Sequence, residues 1–184
     1  PGGAGAGSRH DCLIQNIDYL PTFLEACGLP VRAEVEGRSF WPLLSGGRYE
    51  PHEAICIERN FHDDFDPMRS IRTPEWALIR NFAPARRKWT PAEVPAEAIA
   101  TTYRTWMNEM WPEPAEPRPQ YELFDRKNDP GEVRNVAEAP EHRGILEELN
   151  AHLDQWMRET RDPILETTSA GSFKHLLWER VGTP

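Results

Sequence analysis

Glu141-His142-Arg143-Gly144-Ile145-Leu146-Glu147-Glu148-Leu149-Asn150-Ala151-His152-Leu153-Asp154-Gln155-Trp156-Met157-Arg158-Glu159 is the stretch on which the fold turns. Ile145, Leu146, Leu149, Leu153, Trp156 and Met157 recur at helical spacing, and the opposite side is mostly charged. The spacing predicts a helix over 141–159 with one apolar stripe, and such a stripe must lie against another element. Burying those six side chains contributes on the order of 10 kcal/mol of gross transfer energy, before conformational entropy is subtracted. The segments upstream supply the surface. Tyr121-Glu122-Leu123-Phe124-Asp125 reads as a strand closed by the turn residues Asn128-Asp129-Pro130-Gly131. Residues 68–72 and 76–82, separated by Thr73-Pro74-Glu75, read as a hairpin, and 53–58 alternates around Ile55 and Ile57. The expected class is α+β: a small antiparallel β-sheet packed against a long C-terminal helix.

Ahead of the strands the pattern is helical. Residues 1–10 form a Gly-rich lead-in, and Asp18 is placed to cap a helix whose first turn tolerates Pro21. Leu20, Phe23, Leu24 and Cys27 make its apolar face; Gly28 stops it and Pro30 prevents its resumption. Phe40-Trp41-Pro42-Leu43-Leu44 is a second short amphipathic piece, ending at Gly46-Gly47. Residues 84–119, rich in Pro, Ala and Glu, read as an excursion from the sheet carrying one helix over 97–111. The tail holds Phe173, Leu176, Leu177 and Trp178, expected to dock on the rest of a larger protein or on a partner. These shifts give boundaries at 1–50, 51–162 and 163–184.

Bulk composition narrows the partners. Of 184 residues, 21 are Lys or Arg and 30 are Asp or Glu, a net charge of −9, which argues against a nucleic-acid backbone as partner. Arg86, Arg87 and Lys88 are too short a basic cluster to change that. No apolar run approaches the roughly 20 residues of a membrane span. The opening Pro1-Gly2-Gly3-Ala4-Gly5 is neither an initiator Met nor a signal peptide, so the chain is expected to begin inside a longer protein or after processing. Export and localisation cannot be read from it, and homo-oligomer formation stays open. Three cysteines, Cys12, Cys27 and Cys56, show no C-x-x-C spacing; Cys27 and Cys56 read as small buried hydrophobes.

Four segments then resemble the sulfatase family, in that family's order. Ile17-Asp18-Tyr19-Leu20-Pro21-Thr22-Phe23-Leu24-Glu25-Ala26-Cys27-Gly28 is similar to the helix that follows the catalytic core. Glu36-Gly37-Arg38-Ser39 is similar to the family's Asp/Glu-Gly-Arg-Ser segment. Tyr121-Glu122-Leu123-Phe124-Asp125, with Asn128-Asp129-Pro130-Gly131-Glu132 and Asn135-Val136-Ala137, is similar to its late "ELYDL..DP.E..NLA" pattern, and Pro1-Gly2 to the end of its "WPG" segment. Asp66-Pro67-Met68-Arg69-Ser70-Ile71-Arg72 and Trp156-Met157-Arg158-Glu159-Thr160-Arg161-Asp162-Pro163 resemble the heparan N-sulfatase (sulfamidase) branch. The resemblance implies the C-terminal portion of an alkaline-phosphatase-like sulfatase, with residues 1–50 as the tail end of a missing α/β catalytic domain. It implies a sulfated saccharide, such as a glycosaminoglycan, as substrate and the N-terminal catalytic portion as partner. The C/S-x-P-x-R motif that matures to formylglycine and the calcium-binding Asp and Asn set are not in this chain. Both cofactors are expected in the N-terminal portion, with no catalytic residue and no metal ligand here. Cys27-Gly28-Leu29-Pro30-Val31-Arg32 comes near the motif, but its spacing is one residue too long.

The one dense constellation is His62-Asp63-Asp64, with Glu58 before it and Asp66 and Arg69 after. Adjacent strand residues point to opposite faces, which is wrong for a preformed metal cage. As a substrate-side loop, His62, Asp63 and Asp64 would hydrogen-bond sugar hydroxyls and amines, and Arg69 would meet an anionic sugar bidentately. A solvated acidic loop, with Arg69 paired to Asp66 or Asp64, is the competing reading. Trp89, Trp106 and Trp111 fit core or interface packing better than sugar stacking, and His10, His52, His142, His152 and His175 stand isolated. The function expected is therefore structure and substrate specificity within a sulfatase-type hydrolase cleaving a sulfate ester or N-sulfate. The alternatives are a carbohydrate- or protein-binding module derived from one, and an independent metal hydrolase on His62, Asp63 and Asp64.

Overall fold

The computed structural model describes residues 5–61, 65–82, 118–168, 171–173 and 175–176. They fall into two compact units, one of residues up to Ile55 with Arg72–Glu75, the other of Cys56–Ile71 with the chain from Trp76 onward. The helix expected over 97–111 and the tail residues Leu177 and Trp178 lie outside the described residues.

The second unit holds the sheet. Strands β1 (Ile55–Phe61), β2 (Phe65–Arg72), β3 (Trp76–Asn81) and β4 (Tyr121–Asp125) lie in sequential order, all antiparallel. In the β3–β4 register Trp76 faces Asp125, Leu78 faces Leu123 and Arg80 faces Tyr121. The long helix α3 (Arg143–Glu159), entered through a short 3-10 turn at Pro140–His142, covers one face. Leu149, Leu153 and Met157 are buried, and Ile145, Leu146 and Trp156 are half-buried, so the stripe lies where its spacing predicts. Every second residue of β3 turns toward the helix: the Trp76 ring sits 5.1 Å from that of His142, and Arg80 Nη1 lies 2.7 Å from Asp154 Oδ1. His142 therefore packs against an aromatic ring, the two planes tilted by 59°, and is not isolated. Phe173 is also fully buried, its ring 5.2 Å from Phe65 and 6.1 Å from Phe61. This part of the tail docks on the hairpin of its own unit.

The first unit is organised around a carboxylate. Helix α1 (Tyr19–Ala26) follows a 3-10 turn at Asn16–Asp18, and α2 is Trp41–Ser45. Asp18 precedes α1 as expected, yet its carboxylate does not cap that helix. Oδ1 accepts the Arg38 amide at 2.8 Å, and Oδ2 accepts the Gln15 amide at 2.8 Å and meets His52 Nε2 at 2.9 Å. Thr22 completes the tie: its hydroxyl donates to the Asp18 carbonyl and accepts the Phe40 amide. Gly37 is where the two segments touch, since a Cβ there would fall on the Ile17 carbonyl. The two motifs found in sequence are thus two halves of one buried polar joint.

That joint turns α1 inside out with respect to the expectation. Asp18, Pro21 and Thr22 form its buried side, whereas Leu20 is 57% and Phe23 63% exposed, and Cys27 is exposed too. Sequence periodicity marked the apolar side correctly, but among the described residues of this unit none covers Leu20, Phe23 or Cys27, and Leu24 alone of that side is half-buried. Gly28, at φ 69°, stops the helix as expected: its N–H donates to Glu25 O, and that of Leu29 to Leu24 O. Cys56, in contrast, is half-buried, and burial pushes its thiol up to about 11.

Candidate functional site

The β1–β2 hairpin carries the constellation singled out in sequence. His62, Asp63 and Asp64, between Phe61 and Phe65, lie outside the described residues; Glu58, Asp66 and Arg69 are placed. Alternation along β2 sends Pro67, Arg69 and Ile71 inward, so Arg69 is buried and its cation must find a partner there. It finds Asp162. Nε donates to one carboxylate oxygen and Nη2 to the other at 2.7 Å, while Nη1 donates to the carbonyls of Arg59 and Met68 at 3.1 and 2.8 Å. Glu58 stands 3.8 Å from Nη2. The expected alternative partner, Asp66, has the opposite parity on β2 and cannot share a face with Arg69. With its fork engaged in this way, Arg69 serves as an anchor between β2 and the end of α3.

Asp162 is positioned by the way α3 ends. Arg161 takes φ 53°, its N–H donating to Arg158 O and that of Asp162 to Met157 O. This reversal aims the carboxylate back at the sheet, where it also accepts the Ile164 amide at 3.0 Å. Its pairing with Arg69 across 93 residues had no signal in sequence beyond the Arg-Asp-Pro run. A cleft of about 310 Å³ opens beside the pair, lined by Glu58, Asn60, Trp156, Thr160, Asp162 and Phe173.

On the other side of the sheet Asp66 meets two arginines. Arg59 Nη2 is 3.0 Å from Oδ2, and Arg118 Nη2 donates to Oδ1. Asn81 is on this face also, its amide donating to Pro119 O and Glu122 Oε1.

The turn after β4 gathers Asp125, Asn128, Asp129 and His142 around a cleft of about 230 Å³. Its carboxylates are engaged in holding the turn. Asp125 accepts the amides of Lys127 and Asn128 and the side chain of Asn128, which holds its carboxyl below the usual range; Asp129 accepts the amides of Val133 and Arg134 at 2.8 Å. Asn135 Oδ1 accepts the Leu123 and Ala137 amides. The late motif is a folding device. Among the described residues no group of three or more His, Cys, Asp and Glu side chains could hold a metal ion, so no described set fits calcium. No described helix is long and apolar enough to cross a membrane.

Comparison with known proteins agrees with this architecture. A family model described as "N-sulphoglucosamine sulphohydrolase, C-terminal" matches residues 1–94. An ulvan-active sulfatase of Formosa agariphila is 30% identical over 165 residues, covering 87% of this chain and 32% of its own length. Human N-sulphoglucosamine sulphohydrolase is 25% identical over 180 residues, covering 85% of this chain and 34% of its own. Among solved structures, a 2-O GAG sulfatase superposes with a TM-score of 0.63 at 24% identity, over 87% of this chain and 28% of that one. The chain thus spans between about a quarter and a third of the length of the curated relatives it matches. With the family model covering over half of it and the antiparallel sheet shared, this chain belongs to the family of N-sulphoglucosamine sulphohydrolase C-terminal regions.

Proposed function

We propose that the chain is the specificity-shaping C-terminal part of a hydrolase that releases sulfate from a sulfated sugar, and that the nucleophile lies in an N-terminal portion. The observation that carries this reading is the inverted helix α1. Its polar side is buried in its own unit, whereas Ile17, Leu20, Phe23, Leu29 and Val31 are exposed. Apolar surface of that extent is what a missing catalytic portion would cover. Formylglycine and calcium belong in that portion, where they would supply the nucleophile and polarise the sulfate. In this chain His62, Asp63 and Asp64 would border the substrate, carried by a hairpin that Arg69 and Asp162 hold rigid. The substrate class follows the names of the relatives: N-sulfated glucosamine first, O-sulfated polysaccharide second.

Sulfate release by the full-length protein, measured on N-sulfoglucosamine and on an O-sulfated sugar, tests the reading. Hydrolysis of one of them, with KM raised and kcat kept in His62→Ala and Asp63→Asn, is expected. No release from either would sink it in favour of a non-catalytic binding module. For the apolar face, Leu20→Ser with Phe23→Ser is expected to destabilise the full-length protein by roughly 2–4 kcal/mol and the isolated chain by under about 0.5. Equal effects in both would remove the N-terminal portion as its cover.

A further inference from the structure

The sheet face opposite α3 holds a charge arrangement that the hydrolase reading has not used. Arg59 on β1 and Arg118, just ahead of β4, both close on Asp66 of β2. Two guanidiniums on one carboxylate leave one positive charge over, in a chain whose total is −9. Arg69, on the other face, shows what a structural arginine looks like here: it is sealed from solvent, with both edges engaged. Arg59 and Arg118 are not sealed in this way. Their side chains are 41% and 22% exposed, so solutes can reach them. Among the described residues Arg118 Nε is buried without a hydrogen-bond partner, and its Nη1 donates to the Sδ of Met68, a weak acceptor. An incoming acceptor would meet the exposed donors of these two guanidiniums in charge-assisted hydrogen bonds, which are the strong kind. Arginine is the side chain suited to that acceptor, because its planar donors match a carboxylate or sulfate edge.

We infer that Arg59 and Arg118, held apart and oriented by Asp66, form a binding subsite for a second anionic group of the substrate, a sulfate or a uronate carboxylate not being cleaved. The inference rests on the sulfated-sugar reading and deepens it. Asp66 is a positioning residue: it keeps the two cations together without neutralising both.

Kinetics of the full-length protein on two substrates with the same scissile sulfate, one with and one without a second anionic group, test this. Arg118→Gln and Arg59→Gln are each expected to raise KM about tenfold for the doubly anionic substrate, the loss of one charge-assisted hydrogen bond. Turnover, and KM for the singly anionic substrate, should be unchanged, and the KM contrast should shrink with added salt. Equal KM changes on both substrates, or none on either, would overturn it. Should Arg118→Gln fail to fold, the more exposed Arg59→Gln carries the same test. If the protein hydrolyses neither substrate, the hydrolase reading fails separately, and inorganic sulfate becomes the probe. A saturable shift of the arginine Nε–H resonance that Arg118→Gln deletes, absent with chloride at equal ionic strength, would support the subsite; no shift would overturn it.

Discussion

Each unit is keyed by one buried aspartate, and the two carboxylates are neutralised by different means. Asp162 meets a full countercharge, the Arg69 fork, with both side chains sealed from solvent. Asp18 is neutralised mainly by peptide groups, the amides of Gln15 and Arg38, with the His52 ring as third partner. The difference follows from what each must hold. Asp162 ties the end of a helix to a strand, a side-chain task. Asp18 ties two loop segments back to back, and there the backbone itself has donors to satisfy. The surroundings differ as well: Asp162 lies beside the closed core of Leu149, Leu153 and Met157, whereas Asp18 lies behind a helix whose apolar side is exposed.

Breaking the Asp162 pair should have the largest effect. Arg69→Ala leaves a sealed carboxylate uncompensated and is expected to cost roughly 3–5 kcal/mol in denaturant unfolding. Replacing both partners together, Arg69→Met with Asp162→Leu, should recover most of that loss, because the desolvation penalty disappears with the pair. A double variant as unstable as the single one would mean that the cap on Ile164, not the charge pair, matters most. Asp18→Asn is expected to cost less, about 2 kcal/mol, since an amide oxygen can still accept one of the two peptide N–H groups. Its signature is local, with faster hydrogen exchange at Gln15 and Arg38 and little change in the sheet. If Asp18→Asn proved as damaging as Arg69→Ala, the distinction between the two carboxylates would collapse.

Legibility in the sequence followed the range of the physics. The α3 stripe and the strand runs are local periodicities, and they lie where the spacing of Leu149, Leu153 and Met157 or of Leu78 and Leu123 puts them. The inward parity of Arg69 is equally local, but its partner sits 93 residues away and depends on the reversal at Arg161. Asp18 was misread as a helix cap because cap preference is a nearest-neighbour rule, and the Arg38 amide, 20 residues on, competes successfully for the same oxygen. Cys27 was misread for another reason. A hydrophobic stripe says which side of α1 avoids water; it does not say whether its cover belongs to this unit. The Arg59–Asp66–Arg118 group had no sequence signature at all, as Arg118 is brought to it only by the β3–β4 pairing.

The two cysteines in question sharpen the contrast between open and closed surroundings. Burial raises the Cys56 thiol from 9.0 to about 11, so at pH 9 only about one part in a hundred is thiolate, against half for an ordinary thiol. Cys27 is exposed. Iodoacetamide at pH 9, followed by peptide mass spectrometry, should label the exposed Cys27 faster than Cys56, which is half-buried and almost wholly protonated. The same shift has a linkage consequence. The folded chain keeps a proton that the unfolded chain releases, so the stability Cys56 contributes is present below about pH 9 and is lost as pH rises toward 11. Comparable labelling rates would mean that the surroundings of Cys56 open readily.

The smallest effect concerns the residue that aims Asp162. Arg161 is left-handed at φ 53°, a conformation that costs an L-residue about 1–2 kcal/mol and costs glycine almost nothing. Arg161→Gly removes that strain but adds unfolded-state entropy of about 0.5–1 kcal/mol, leaving a net stabilisation of roughly 0.5–1 kcal/mol. Arg161→Ala keeps the Cβ and hence the strain, so it should change little. A glycine variant that is stabilised while Asp162 keeps its grip on Arg69 would show that the helix end is set by the backbone reversal alone. If glycine instead destabilises, the exposed Arg161 side chain must itself help hold the turn, and the anchoring of Asp162 would be less purely a backbone matter than its hydrogen bonds indicate.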